Sequence, residues 1–442
     1  MKKVTIFWFR RDLRLDDNIG LYHALQSEFP VLPIFIFDKI ILDKLPKDDP
    51  RVTFIFETLQ HMRQQLQEQH QSAIAFYYDS PEAVFEKLST TYEIQGVYTN
   101  HDYEPYARER DEEIKGLLSR TCLAGRQERI SFNTYKDQVI FEKDEIVKND
   151  GLPYVVYTPY KNKWKERFNP EVDLKEYNLA TYLGNLIQDR ELPNLTLEAM
   201  GFEEAAIKVP SYTVTEHLIE NYEATRNFPA KENGTSRLGP HLRFGTVSIR
   251  QMVKKAIAQE NEIFWSELIW REFFMQILWH FPHTKDKAFK PKYDRIEWRN
   301  NEADFKKWCD GQTGYAFVDA GMRELNTTGF MHNRVRMLVA SFLCKHLLID
   351  WRWGEAYFAE KLLDYDMSAN VGNWQWAAGS GVDAAPYFRI FNPITQIDKF
   401  DKQKEYINTW VPELQELTYP PMMVDHKMAR ERCLKVYKEA VG

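Results

Sequence analysis

The first hundred residues alternate short β-rich runs with longer helix-like stretches, and this alternation restricts the fold more than any other feature of the chain. The runs are VTIFWF (4–9), VLPIFIF (31–37), AIAFYY (73–78) and GVYTN (96–100), with spacers such as FIFETLQHMRQQLQEQHQ (54–71). Strands separated by helix-length spacers cannot close as tight hairpins. They predict a parallel, Rossmann-like α/β sheet with the connecting helices packed on its faces. The turn after the first run, RRDLRLDDN (10–18), contains no glycine, so the GxGxxG fingerprint is missing where it would stand, and no Walker A sequence occurs anywhere. Whatever this sheet binds is not held on a glycine-rich phosphate loop beside its first strand.

Beyond residue 130 the pattern weakens. Segments such as KNDGLP (148–153) and FNPEVD (168–173) punctuate the chain with Asn, Asp, Gly and Pro, which predicts an inter-domain connector. After residue 205 the period becomes helical. MHNRVRMLVASFLCKHLL (331–348) places Met331, Val335, Leu338, Phe342 and His346 on one stripe. The expected organisation is an α/β domain over 1–130, a linker over 131–205 and an all-α domain over 206–442. A chain of 442 residues is long enough for such separate cores.

The formal net charge is -7, which taken alone argues against nucleic acid as a partner. Its distribution reverses that reading. Residues 201–442 hold 32 basic and 32 acidic side chains, so the acidic excess lies wholly in the first 200 residues. A neutral carboxy-terminal part can still present the local basic face that phosphates require. Ten of the 12 tryptophans also lie beyond residue 201, as a flat ligand or base stacking would need, although a large core concentrates tryptophan too. Cys122, Cys309, Cys344 and Cys433 show no CxxC or Cys/His spacing, which predicts structural thiols and no metal site. With no run of eighteen apolar residues and no basic-then-apolar leader, a soluble cytoplasmic protein is expected.

Several stretches could carry chemistry. In YEATRNFPAKENGTSRLGPHLRFG (222–245), Gly234, Thr235, Ser236 and Arg237 form a loop that suits phosphate oxygens, although a helix cap with a nearby arginine is the commoner explanation of such a stretch. FWSELIWREFFMQILWH (264–280) sets Glu267, Trp270 and Arg271 at i, i+3 and i+4: either a polar ligand clamp or an ion pair beside a core indole. Asn333, Arg336 and Met337 share a helical face away from the apolar stripe. LLDYDMSANVGNWQW (362–376) carries Asp364 and Asp366 without a third ligand at metal spacing, so ion pairing with a nearby arginine is the better reading. Trp374 and Trp376 are two residues apart, which on a helix turns them about 200° from each other and implies two separate roles.

Together, FWFRRDLRLDDN, NGTSRLGPHLRFG, ELIWREF, TGYAFVDAGMRELNTTGFMHNRVRM, DWRWGEAYF and NWQWAAGSGVDAAPYFRIFNP resemble, in this order, the photolyase/cryptochrome family, and most of all its class I cyclobutane pyrimidine dimer photolyases. The resemblance spans nearly the whole chain. It implies an amino-terminal α/β domain linked to a helical domain that binds FAD, and light-driven repair of UV-damaged DNA by electron transfer from excited reduced FAD to a flipped-out dimer.

Position by position, Tyr222, Thr235, Ser236, Arg237 and Leu238 match the loop holding the flavin phosphates. Arg271, Asp364, Asp366 and Asn370 match positions around the ribityl chain and ring, with Asn370 near flavin N5; Glu267, Asn333 and Arg336 also match cofactor-facing positions. Glu267, Trp270, Asn333, Met337 and Trp376 match the lesion pocket, and the first, third and last of these, with Asn370 and Met337, match the catalytic set. Trp374, Trp351 and Trp298 match an electron-hopping chain running to the surface. Arg226, Trp270, Asn333, Arg334, Trp376, Arg389 and Gln396 match contacts to DNA.

Asn370 stands where the family's plant cryptochromes carry Asp, which favours repair. Asn333 and Met337 stand where repair of (6-4) lesions would need a pair of histidines. Phe264 and Val371 depart from the Trp and Asn common in the family at those places. Glu104, in NHDYEPYARERD, resembles part of an antenna pocket, for which folate, deazaflavin or nothing are the alternatives. A signalling cryptochrome is the rival reading; it predicts a further tail, whereas this sequence stops soon after the helical part. A monomer without membrane association is expected.

Overall fold

A computed structural model of the chain describes residues 1–120 and 130–442. Cys122 lies outside the described residues. Two compact units are present. The first comprises Met1–Glu142, Phe168–Pro210 and Leu238–Lys255; the second comprises Lys143–Arg167, Ser211–Arg237 and Ala256–Gly442.

The first unit is built on a five-stranded sheet: β1 (Lys2–Phe9), β2 (Val31–Asp38), β3 (Ala75–Asp79), β4 (Tyr92–Asn100) and β5 (Ser131–Tyr135). Their order is β3-β2-β1-β4-β5 and every pairing is parallel. The two-residue strand period sorts the side chains cleanly. Phe7, Phe9, Val31, Phe35 and Phe37 enter the core on one face, while Val4, Ile6, Trp8, Leu32, Ile34 and Ile36 enter the core on the other. Both faces are therefore buried, as a parallel sheet requires. The spacer 54–71 falls in the Pro50–His70 helix but for its last residue, Gln71, which closes it; Asp49 caps the helix and Pro50 begins it.

The segment expected to be a linker is divided instead. It starts with β5, pairs Ile187 N–H with the Val31 carbonyl at 2.8 Å, and places Leu179, Leu183, Leu186, Leu197, Met200 and Phe202 in the core of the first unit. Residues 143–167 instead join the helical unit, where the Tyr157–Arg167 helix anchors Trp164 Nε1 on Glu272 Oε2 at 2.6 Å. Residues 238–255 depart from the expected boundary as well, because Arg250 is buried on Asp17 and Asp137 within the first unit. Segments that drop single large apolar residues into a core at irregular intervals show neither helical nor strand period, so periodicity cannot see them.

Among the described residues the second unit holds only helices and loops, around a core that includes Trp308, Phe317, Val335, Phe342, Trp351 and Trp374. The expected stripe Met331, Val335, Leu338, Phe342, His346 is buried throughout. The Asn333–Ser341 helix does not run on regularly through it, but widens into a π-turn over Phe342–Leu347 that ends at Leu348 with φ +54°. Cys309, Cys344 and Cys433 are buried free thiols. No described helix is long and apolar enough to cross a membrane.

Candidate functional site

The Glu262–His280 helix, capped by Asn261, carries the first group of candidate residues. Glu267 pairs with Arg226, the residue that closes the Glu216–Thr225 helix, at 2.5 Å. Burial alone would lower the proton affinity of Arg226, but the Glu267 charge and hydrogen bond outweigh it and raise the guanidinium pKa. Tyr222 lies under Arg226 at 5.5 Å and edge-on to Phe264 at 5.2 Å, and burial pushes its phenol up to about 12. Trp270, one turn beyond Glu267, is half-buried and stacks on Tyr157.

A second group centres on the loop after the Ala316–Thr328 helix. Gly329 closes that helix at φ +68°, where a Cβ would meet Leu363 at 2.6 Å, so the turn requires glycine. His332 then caps the next helix. Arg336 donates Nε–H to the Met331 carbonyl at 2.7 Å and forks onto Asp364 at 3.0 and 2.9 Å. Arg237, at φ +54°, lies 3.6 Å from the Phe330 ring centroid, with Arg336 at 5.6 Å from the same ring. Arg334 donates to Asn227 and lies over Phe400 at 4.4 Å, and Met337 Sδ is 3.7 Å from it. Burial lowers the Arg334 pKa, and Arg226 and Arg389 lower it further, which places three of the proposed DNA-contacting arginines within one another's field. Asn333 and Arg389 are exposed, whereas Gln396 is buried.

The Met367–Ala378 helix carries the third group. Asp366 caps it, accepting from the N–H groups of Ser368 and Ala369 at 3.1 and 3.3 Å. Asn370 donates Nδ2–H to the Glu355 carboxyl at 2.9 Å and to the Glu355 carbonyl at 3.1 Å, and burial raises the Glu355 pKa. With its donor spent this way, the amide keeps its oxygen for another partner. Trp374 is buried edge-on to Phe358 at 5.0 Å and Trp308 at 6.2 Å, whereas Trp376 is half-buried. Between them Gln375 donates to the carbonyls of Thr284 and Lys287 at 2.8 and 2.9 Å and accepts from the N–H of Phe289 at 2.8 Å. Trp351 is buried beneath Arg352, and Trp298 is half-buried and edge-on to Tyr437; neither is a ring partner of Trp374.

Thr235, Ser236 and Arg237 belong to the helical unit, and Leu238 begins the segment assigned to the α/β unit. In that α/β unit Glu104 follows β4 and accepts from Arg11 at 3.1 Å and Arg243 at 2.9 Å. Arg271 stands on the same helix as Glu267, yet the guanidinium that meets Glu267 is that of Arg226. Among the described residues no group of three metal-ligating side chains exists.

These residues fit a flavin dinucleotide. Arg237 is desolvated, which lowers its pKa, and no carboxylate lies within ion-pair distance of it among the described residues; His332 Nε2 is buried without a partner. A diphosphate and a polar ring edge are the kinds of group such donors need. Sequence reasoning missed Tyr157, Phe330, His332 and Glu355. Glu355 lies inside the DWRWGEAYF motif, but Tyr157 sits in the segment expected to be a linker and gave no signal.

The chain matches the family described as DNA photolyase over residues 5–177 and the FAD binding domain of DNA photolyase over residues 264–418. It is 36% identical to the deoxyribodipyrimidine photo-lyase of a Synechococcus species, over 99% of this chain and 97% of that protein. Its fold is similar to the crystal structure of a class III photolyase from Agrobacterium tumefaciens, with a TM-score of 0.87, 32% identity, and 100% and 98% of the two chains covered. It is also similar to an archaeal photolyase from Sulfolobus tokodaii that holds two FAD molecules, with a TM-score of 0.81, 32% identity, and 99% and 100% covered. The chain therefore belongs to the photolyase/cryptochrome family, and its helical unit carries that family's FAD-binding domain.

Proposed function

We propose that this chain repairs cyclobutane pyrimidine dimers in UV-damaged DNA under light. The observation that carries the reading is the Glu267–Arg226 ion pair one helical turn from a half-buried Trp270. A flipped dimer offers imide N–H groups, carbonyl oxygens and two π-faces. The Glu267 carboxylate accepts from the imide N–H, the Arg226 guanidinium holds that carboxylate in place through their ion pair, and Trp270 and Trp376 supply apolar faces. Asn333 and Met337 complete the pocket without a histidine pair, which matches dimer rather than (6-4) chemistry.

FAD held in this site would, when reduced and excited, lend the electron that opens the cyclobutane ring and take it back once the ring has split. Arg237, Thr235, Ser236 and Tyr222 would hold its phosphates, the Arg336–Asp364 fork would keep a paired charge beside it, and Asn370 would offer its amide oxygen to the ring. Arg334 and the exposed Arg389 meet DNA phosphates, a role for which buried Gln396 is less suited. Trp374, Trp351 and Trp298 carry electrons inward from the surface when the flavin needs reducing. We assign a second chromophore to the Glu104 loop, because ligands of open α/β sheets settle at the carboxyl ends of the strands. The protein acts as a monomer in this scheme.

The test is to illuminate the FAD-loaded, reduced protein with an oligonucleotide containing one thymine dimer. Recovery of thymine absorbance is expected; bound flavin with the dimer left intact points to a signalling cryptochrome instead.

A further inference from the structure

One face of Trp270 is already occupied. Tyr157, at the start of the Tyr157–Arg167 helix, lays its ring on the indole with centroids 3.6 Å apart and planes 9° from parallel. Aromatic pairs commonly settle offset or edge-to-face at larger separations, because stacked quadrupoles repel when fully overlapped. An overlap this close needs holding from outside, and three contacts provide it. Tyr157 Oη donates to the Ser266 carbonyl at 2.6 Å. Its backbone N–H reaches Asp383 Oδ2 at 3.4 Å. Phe273 meets both rings steeply inclined, 5.8 Å from Tyr157 and 5.6 Å from Trp270.

The two stacked rings differ in exposure. Tyr157 is 6% exposed, whereas Trp270 is half-buried, so the tyrosine is the fixed member and the indole still meets solvent. Burial, followed by the nearby Glu267 charge, raises the Tyr157 pKa, so the phenol stays neutral and keeps its proton for Ser266.

We propose that Tyr157 is a positioning residue for lesion recognition: by backing the indole of Trp270 it fixes the ring plane on which a flipped base stacks, and so sets the preference for dimer over undamaged DNA. The inference rests on the assignment of Trp270 to the lesion pocket. Without Tyr157 the indole keeps only its contacts with Phe273 and Phe274, 5.6 and 5.5 Å away, and the rotamer freedom it regains has to be given up each time DNA binds, a loss that would appear as weaker binding of the dimer alone.

The experiment uses the FAD-loaded protein and measures dissociation constants for a dimer-containing oligonucleotide and its undamaged counterpart, together with repair yield per photon at saturating DNA. Wild type, Y157F, Y157L, W270L and Y157L/W270L are compared at equal flavin occupancy. Y157F keeps the ring and two of its three supports but gives up the hydrogen bond to Ser266, so it should fall between wild type and Y157L. Y157L should weaken dimer binding about three- to tenfold, with binding of undamaged DNA and the saturated repair yield unchanged. The double variant should bind no more weakly than W270L, because the tyrosine acts only through the indole. Equal losses for both DNAs, a dimer affinity within twofold of wild type, or additive losses in the double variant would each overturn the proposal. Should Y157L fail to retain FAD, Y157M takes its place with the same expectations. If wild type itself does not prefer the dimer, the repair assignment falls; if it does and Y157L matches it, the role of Tyr157 falls alone.

Discussion

Acid should weaken the helical unit through His332. Its Nδ1 accepts the N–H of Arg334 at 3.1 Å and thereby caps the Asn333–Ser341 helix, so the neutral ring must carry its proton on Nε2. A second proton would break the cap and bury a charge. Burial is the largest influence, followed by the charges of Arg237, Arg336, Arg334 and Arg226, and together they lower the pKa from 6.5 to about 3. In the unfolded chain the ring titrates near its ordinary value of about 6.5. Because the folded pKa is the lower one, the unfolded chain binds more protons. The stabilisation is therefore complete above about pH 6.5 and is lost as pH falls from there toward about 3.

Between pH 7.5 and 5.5 the expected loss from this one residue is about 1–2 kcal/mol. His332→Asn retains a capping acceptor but cannot titrate, so its stability should change by about 1–2 kcal/mol less over the same interval. His346, likewise lowered to about 3 by burial and the neighbouring His426, is common to both proteins and cancels in the difference. Urea unfolding of wild type and H332N at the two pH values, followed by near-UV circular dichroism, measures the quantity. Parallel pH dependences, agreeing to within about 0.5 kcal/mol, would refute the account of His332 as a neutral, buried cap.

Trp374→Phe should abolish photoreduction of oxidised FAD while leaving repair by chemically pre-reduced protein near the wild-type yield; transient absorption and the repair assay separate the two. Arg336→Met leaves Asp364 without its fork in a partly buried setting and should cost about 1–3 kcal/mol, seen as a lower melting temperature and weaker FAD retention; an unchanged melting temperature contradicts it. Asn370→Asp sets a second carboxyl beside that of Glu355, so one of the pair must hold a proton and its folded pKa rises. A raised folded pKa gives stability that is present at low pH and lost as pH climbs past the unfolded carboxyl value, so N370D should melt progressively lower relative to wild type as pH rises from about 4.5.

The strands of the first hundred residues are legible because apolar runs and helix-length spacers alternate without interruption. β5 is not: its five residues are half-exposed or exposed and lie in a stretch whose composition reads as loop. The 331–348 stripe is visible as a period, but the π-turn that widens it depends on packing that no local pattern encodes. At the site, Asp364 was readable as an ion-pair partner because its sequence neighbourhood offers arginines and lacks metal ligands; the fork with Arg336 supplies the partner. Glu355 and Tyr157 act through contacts with residues 15 and 113 positions away, and such contacts exist only once the chain has folded.

Gln375 sits between two tryptophans that face different surroundings, and all of its side-chain hydrogen bonds run to the backbone of residues 284–289. The helix therefore cannot be rotated to retune one indole without displacing the other. A change among the neighbours of Trp374 or of Trp376 can therefore act on one indole alone, whereas the angle between the two rings changes only if the Gln375 anchor does. Relatives that differ in photoreduction or in lesion choice should then differ in the residues around these indoles, with the Trp-Gln-Trp unit itself left intact.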